Sequence, residues 1–365
     1  MTRAVVLPAF GEPVRVREYP PPRPVPGGMV IAPTYGGICG TDLHLQRGHL
    51  PIPTPIVLGH EGLGLVHELG EGTGTDANGE PLAPGDPVMW ASSIACGTCP
   101  ACRLHREPTL CAHRRTYGVN RPVAEEPLSG AWAERIALHP GATVVKVPDQ
   151  VDPVAAMAFA CAGPTLVHAL FERRPVRVGE TVIVQGSGPV GLAAAALASL
   201  AGAARVVVLG GPAGRLDLAK AAGIGDAHVD LVGEPDPETA LARARDLAGG
   251  AGADLVIECA GAPVAVAQGL TLPRRGGAYL VVGQYTDGGD TLVNPHQIVH
   301  RQLDVIGSWA FTGAHVVEYV RLLPALAARF DLASLVTAFP LADAERALRA
   351  VAAGTVLKAV LEVAA

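Results

Sequence analysis

Residues 37–44 read GICGTDLH and residues 58–64 read LGHEGLG, so Cys39, Thr41, His44, His60 and Glu61 stand on backbone hemmed in by glycine. A thiol and an imidazole can ligate a metal, a hydroxyl and a second imidazole can pass a proton, and a carboxylate can accept one. A second group, Cys96, Cys99, Cys102 and Cys111, falls within the 16 residues CGTCPACRLHREPTLC. Four thiolates on one short loop can close a tetrahedron around zinc and leave no position for substrate, which marks a structural site. Disulfides or surface thiols are the alternative for these four. His105 and His113, in and beside the loop, are read as bystanders. Cys161, in AFACAGPT, and Cys259, in DLVIECAG, read on their own as small buried core residues.

A third feature is backbone chemistry. Gly186, Gly188 and Gly191 form G-x-G-x-x-G between an apolar strand, 181–185, and a helix opened by Pro189 and Val190. In that context the loop turns tightly, approaches a pyrophosphate closely and points a helix N-terminus at the anion. An ordinary glycine-rich strand–helix turn is the plainer reading. The second strand of such a site usually ends in Asp or Glu, which binds the adenosine ribose and repels a 2′-phosphate. Here strand 205–209 ends at Gly210, and Arg215 is the nearest cation. Loss of the carboxylate removes an obstacle to NADP, but a phosphate clamp needs more than one cation. The expected cofactor is NAD or NADP, with NAD preferred.

The elements that must position these residues differ along the chain. At 365 residues, the protein exceeds what one core usually covers, so two domains are expected. With 49% hydrophobic and 17% charged residues, 44 Gly and 32 Pro, it is loop-rich and globular rather than disordered. A net charge of -6 leaves no footprint for nucleic acid. The longest apolar run, Val190–Ala204, is too short to span a bilayer, and the charged, alternating N-terminal stretch does not read as a signal peptide. A cytoplasmic protein is expected, and there clustered thiols favour metal over disulfides. Up to about residue 155, short β segments such as Met29–Pro33, Leu63–Leu69, Pro87–Trp90 and Thr143–Val147 are broken by Gly and Pro, with little helical periodicity. From about residue 160, strands (181–185, 205–209, 254–258, 278–282) alternate with helices (189–203, 214–222, 237–248, 264–269), the pattern of a parallel sheet. Beyond about 305 the texture is mixed, ending in a strand-like Val356–Val363.

GICGTDLH, GHEGLG, the four-cysteine loop, GSGPVG and the closing KAVLEV, in that order, resemble the zinc-dependent medium-chain alcohol dehydrogenases. The resemblance covers essentially the whole chain. It implies an α/β protein in which a GroES-like, β-rich catalytic domain (1–162, with a structural zinc lobe at about 95–112) precedes a Rossmann domain, a doubly wound parallel sheet (163–305). Residues 306–365 would return to the catalytic domain, with the active site in the cleft. It further implies that Cys39, His60 and Cys161 hold a catalytic zinc with one open position, although their spacing alone would not group them. Glu61 stands beside that metal, Thr41 takes the substrate proton, and His44 passes it to solvent through the cofactor ribose. The implied reaction is hydride transfer between a small-molecule alcohol and NAD(P)+, giving the aldehyde or ketone, with two zinc ions per chain. No nucleic acid or membrane is involved. A homodimer or homotetramer is expected, joined through an edge strand near Asp304–Trp309.

The chain departs from the family pattern in three places. Eight residues separate Cys102 from Cys111, one more than is common, and the usual glycine there is missing. Gly210 leaves cofactor preference open. Leu50 and Ser92 fall where the family lines its alcohol pocket; a serine where an aromatic residue is common suggests room for a secondary, bulky or cyclic alcohol. Two other readings compete. A zinc-free quinone or enoyl reductase on the same fold would not need the Cys39, His60 and Cys161 set, and a non-catalytic cofactor-binding protein would not need Thr41.

Overall fold

Strand Met29–Ile38 runs on well past the expected Pro33 because both of its edges find partners. Gly62–Leu69 pairs with it antiparallel on one side, with Gly36 opposite Gly62, and Lys358–Glu362 pairs on the other, with Ala359 opposite Ile38. The computed structural model describes residues 1–363. Contacts divide the chain into two units. The first comprises residues up to Cys161, Phe311–Pro324 and the chain from Val336; the second comprises Ala162–Ala310 and Ala325–Leu335. Of the stretch expected to return to the catalytic domain, 325–335 thus groups with the second unit.

In the first unit the order is Val144–Lys146, Pro87–Trp90, Gly62–Leu69, Met29–Ile38, Lys358–Glu362 and Val336–Pro340, with Ile136–Leu138 also on Met29–Ile38. A smaller sheet joins Arg15–Tyr19, Thr2–Leu7 and Ile56–Val57. Between them lies an apolar cluster that includes Leu7, Ile38, Leu45, Leu58, Trp132 and Leu361. Leu45 belongs to helix Gly40–Arg47, which the sequence pattern does not announce because only Asp42 and Leu45 on it are buried. Helix Gly313–Arg329 was also missed. Its buried Val316, Tyr319, Val320, Leu323 and Leu326 follow helical spacing, but Pro324 inside the run reads as a breaker.

In the second unit six strands are all parallel: Ala227–Asp230, Arg205–Gly210, Thr181–Gln185, Ala253–Glu258, Pro273–Val281 and Asp304–Gly307. Numbered along the chain, that order is 3-2-1-4-5-6, the doubly wound order of a dinucleotide fold. The central strands Thr181–Gln185, Arg205–Gly210 and Ala253–Glu258 carry buried runs of Val, Ile and Leu, as strands covered on both faces do. Helix Pro189–Leu200 buries Gly191 to Ala198, and its alanines let it pack close. Among the described residues, no helix is long and apolar enough to cross a membrane.

Candidate metal centres and cofactor loop

Cys39 follows strand Met29–Ile38 and is the N-cap of helix Gly40–Arg47. Asp42 in the first turn reaches back, its Oδ2 accepting from the Cys39 N–H at 2.8 Å, which fixes the backbone that carries the thiol. Its Oδ1 lies 3.3 Å from His60 Nδ1, an ion-pair distance. His60 sits in the turn before Gly62–Leu69, and its Nε2 is buried without a hydrogen-bond partner. Cys161 lies between helices Pro153–Met157 and Ala162–Val167. The fold brings the ligand atoms of Cys39, His60 and Cys161 within 4.8 Å of one another.

This donor set fits zinc. A metal-bound imidazole commonly turns its other nitrogen to a carboxylate, and here Nδ1 faces Asp42 while Nε2 is left over. Two sulfurs and one nitrogen leave one tetrahedral corner open. A hydrogen bond from Cys161 and the positive charges of His60 and Lys358 hold the Cys39 thiol well below its ordinary range. Cys161, hydrogen-bonded to Cys39 and largely desolvated, is pushed well up. Burial drives the His60 imidazole down, but Asp42 and Cys39 outweigh it and leave it well above its ordinary value. Glu61 lies against Gly37, where a Cβ would come within 2.6 Å of its Cδ, so only glycine lets the carboxylate take this place.

The second cluster is local. Cys96, Cys99, Cys102 and Cys111 bring their sulfurs within 4.8 Å of one another, with Cys99 and Cys102 at 3.5 Å. A tetrahedron with zinc–sulfur bonds of about 2.3 Å has edges of about 3.8 Å, whereas a disulfide needs about 2.05 Å. All four are free thiols. Backbone N–H groups of Thr98 and Cys99 point at the Cys96 sulfur at 3.5 and 3.4 Å, and the Cys96 thiol is drawn down to about 5, chiefly by its bonds to Thr98. The long spacer before Cys111 is taken up by a 3-10 turn at Pro108–Leu110 and by Arg106 in a left-handed conformation, φ 57°.

Gly186 and Gly188 leave strand Thr181–Gln185, and Gly188 caps helix Pro189–Leu200, with Pro189 and Val190 in its first turn. A Cβ on Gly191 would meet the Gly186 carbonyl oxygen at 1.9 Å, so the loop closes on itself only with glycine there. A Cβ on Gly210 would meet Ser187 N and Oγ, each at 2.8 Å. The Ser187 hydroxyl accepts from Gly211 N at 3.0 Å and donates to Gly211 O at 2.9 Å. It occupies the space a strand-end carboxylate would need. Arg215 lies in the first turn of helix Ala213–Ala221, its Nε buried without a partner.

Comparison with known proteins agrees with this layout. Residues 25–149 match the family described as the alcohol dehydrogenase GroES-like domain, and residues 189–327 match the zinc-binding dehydrogenases. A 5-exo-hydroxycamphor dehydrogenase of Pseudomonas putida is 32% identical over 351 residues, 96% of this chain and 95% of that one. The chain belongs to the zinc-dependent medium-chain alcohol dehydrogenases. A sorbitol dehydrogenase of Halalkalibacterium halodurans is 30% identical, over 95% of this chain and 94% of its own. Among solved structures, an alcohol dehydrogenase from Thermotoga maritima superposes with a TM-score of 0.93 at 33% identity, covering 100% of this chain and 99% of that one. A zinc-binding dehydrogenase from Sinorhizobium meliloti, solved with NADP, has a TM-score of 0.85 at 28% identity and covers 99% of each chain.

Within this member of the family the remaining site candidates lie as follows. Thr41 Oγ1 is 3.8 Å from Cys39 Sγ. His44, one helical turn on, is half-buried and meets His49 rather than standing alone. Leu50 packs against the apolar cluster of the first unit. Ser92 is buried, and its carbonyl accepts from the Tyr117 N–H at 2.8 Å. Sequence reasoning passed over Asp42 and Lys358. Asp42 stands at the third position of a helix opened by Cys39, where a carboxylate could have been read as a cap. Lys358 was visible only as the one basic residue of an otherwise largely apolar closing strand.

Proposed function

We propose that this chain is a zinc-dependent alcohol dehydrogenase acting between a secondary or bulky cyclic alcohol and its carbonyl, with NAD(P). The observation that carries the proposal is the convergence of Cys39, His60 and Cys161, with a buried, unpartnered His60 Nε2. Those three residues would hold a catalytic zinc, and Cys96, Cys99, Cys102 and Cys111 a structural one, two per chain. Zinc held there would supply the Lewis acidity that eases loss of an alcohol's proton, and a nicotinamide cofactor whose pyrophosphate rests at Gly186–Gly191 would take up the hydride.

The chain's own residues do the rest. Asp42 orients both Cys39 and His60. Thr41 accepts the substrate hydroxyl proton, and His44 takes it onward. Gly186, Gly188 and the first turn of the helix at Pro189 seat the pyrophosphate, with Arg215 near the adenosine ribose. NAD is the preferred cofactor, because a single arginine makes a poor clamp for a 2′-phosphate. Substrate size is argued from the small Ser92 and from the relative named for a hydroxylated camphor, a cyclic alcohol. Strand Asp304–Gly307 lies at the sheet edge and offers unpaired backbone groups for a homodimer or homotetramer in the cytoplasm.

The test is a panel of alcohols and carbonyls with both cofactors, together with metal analysis of the wild type and Cys39→Ala. Two zinc ions per wild-type chain and one in Cys39→Ala are expected, with turnover lost and NADH binding retained. Ordinary turnover in Cys39→Ala, or a wild-type count of one or none, overturns the proposal.

A further inference from the structure

Helix Gly40–Arg47 ends at Gly48 in a left-handed conformation, φ 76°, against the ring of Phe10. The turn brings the His49 N–H onto the His44 carbonyl at 2.9 Å. It also brings the two imidazoles together: His44 Nδ1 and His49 Nδ1 are 3.0 Å apart, with ring centroids at 5.3 Å and planes inclined at 46°. At that distance one nitrogen must carry a proton and the other must accept it. His44 is half-buried, whereas His49 is exposed. With its Nδ1 committed to His49, His44 has Nε2 free to receive a proton.

We propose that His49 is the exit of the proton path, taking from His44 the proton released by the alcohol and delivering it to water. This rests on the reading of Thr41 and His44 as a relay. A proton arrives at His44 Nε2; the His44 Nδ1–H bond breaks as a His49 Nδ1–H bond forms; His49 Nε2 then gives its proton to solvent. One proton enters, one leaves and no electrons move, and exchange with water restores the starting tautomers. In carbonyl reduction the same path runs inward. The half-buried ring alone would deliver its proton to solvent less readily than a pair whose outer member is already wet. Gly48 is the device that assembles the pair, because its left-handed turn folds His49 back over the helix end.

The experiment uses the zinc-loaded enzyme in a single turnover, following proton release with a pH-indicator dye and NADH formation by absorbance. In His49→Phe, proton release should slow about tenfold or more, with KM and zinc content unchanged, and free imidazole should restore it. His44→Gln should slow it at least as much, and His44→Gln/His49→Phe should be no slower than His44→Gln alone. If His44→Gln is slow while His49→Phe releases protons at the wild-type rate, His49 is not in the path. Slow release in His49→Phe that imidazole does not restore marks a structural loss and equally overturns the proposal. Wild-type release in His44→Gln instead refutes the relay itself. An independent reading comes from side-chain nitrogen NMR of the protein without cofactor. His49→Phe should shift the His44 Nδ1 resonance, and an unmoved resonance contradicts the shared proton.

Discussion

Lys358 and Glu61 form a buried ion pair beside Cys39, with side chains 4% and 1% exposed. The ammonium donates to Glu61 Oε1 and, at 3.2 Å, to the carbonyl of Ile38, the residue before Cys39. Burial pushes the lysine down, but Glu61 and Cys39 outweigh it and keep it charged. The pair exists because strands Gly62–Leu69 and Lys358–Glu362 flank the same strand, Met29–Ile38.

Removing one partner leaves a buried charge without its counterion. Lys358→Met should destabilise the protein by about 3–5 kcal/mol, and Lys358→Met/Glu61→Gln should recover part of that loss. Urea unfolding at neutral pH reads the difference. A cost below about 1 kcal/mol would mean that Glu61 escapes to solvent or is already protonated.

Asp42 touches both Cys39 and His60, so its effect should appear in metal retention. Asp42→Asn should weaken zinc binding at the Cys39 site about 10–100-fold, measured by competition with a chelator, while the four-cysteine lobe keeps its metal. Equal retention at the two sites in the variant would remove Asp42 from the orienting role.

Arg106 holds a conformation that suits glycine, in the spacer before Cys111. Arg106→Gly should stabilise the protein by about 1 kcal/mol, seen as a higher melting temperature. No change would show that local contacts of the arginine offset its strain.

A Cβ at Gly210 would meet Ser187 N and Oγ at 2.8 Å, so an aspartate there carries a steric cost beside any preference for NAD. Gly210→Ala alone should cost about 1–3 kcal/mol. Gly210→Asp should lose stability as well and should weaken both cofactors. A stable Gly210→Asp protein with a clean shift toward NAD would show that Ser187 gives way.

His44 carries its own pH signature. Burial lowers the His44 imidazole, and the charges of His49 and Arg47 add to that against an opposite pull from Cys39. His44 therefore stays neutral, and able to accept a proton, to a pH below the ordinary value of about 6.5. The acid limb of kcat that reports His44 should lie below that pH. In His49→Gln it should move up, because one depressing charge is gone. A limb that does not move separates His49 from the His44 titration.

Much of this was legible from residues alone where the chemistry is local. The four cysteines of the lobe lie on one loop, and the glycines of the cofactor turn lie between adjacent elements, so spacing along the chain approximates spacing in the molecule. The alternation of strands and helices after residue 160 foretold the parallel sheet for the same reason: each βα step is short. Helix Gly313–Arg329 escaped because Pro324 interrupts a pattern that packing tolerates.

The three-residue metal candidate is different. Cys39, His60 and Cys161 lie at the ends of separate elements, and only resemblance to a family grouped them before the fold did. Residue types and their spacing were enough to name the donors, the turns that need glycine and the alternating strands and helices after residue 160, since these follow from side-chain chemistry and short-range backbone geometry. Tertiary structure alone decided that Lys358 neutralises Glu61, that Asp42 serves two ligands, that Ser187 fills the place beside Gly210 and that His49 meets His44. Those contacts depend on strand neighbours and on how a helix end turns, which are set by packing of the whole unit rather than by any one segment.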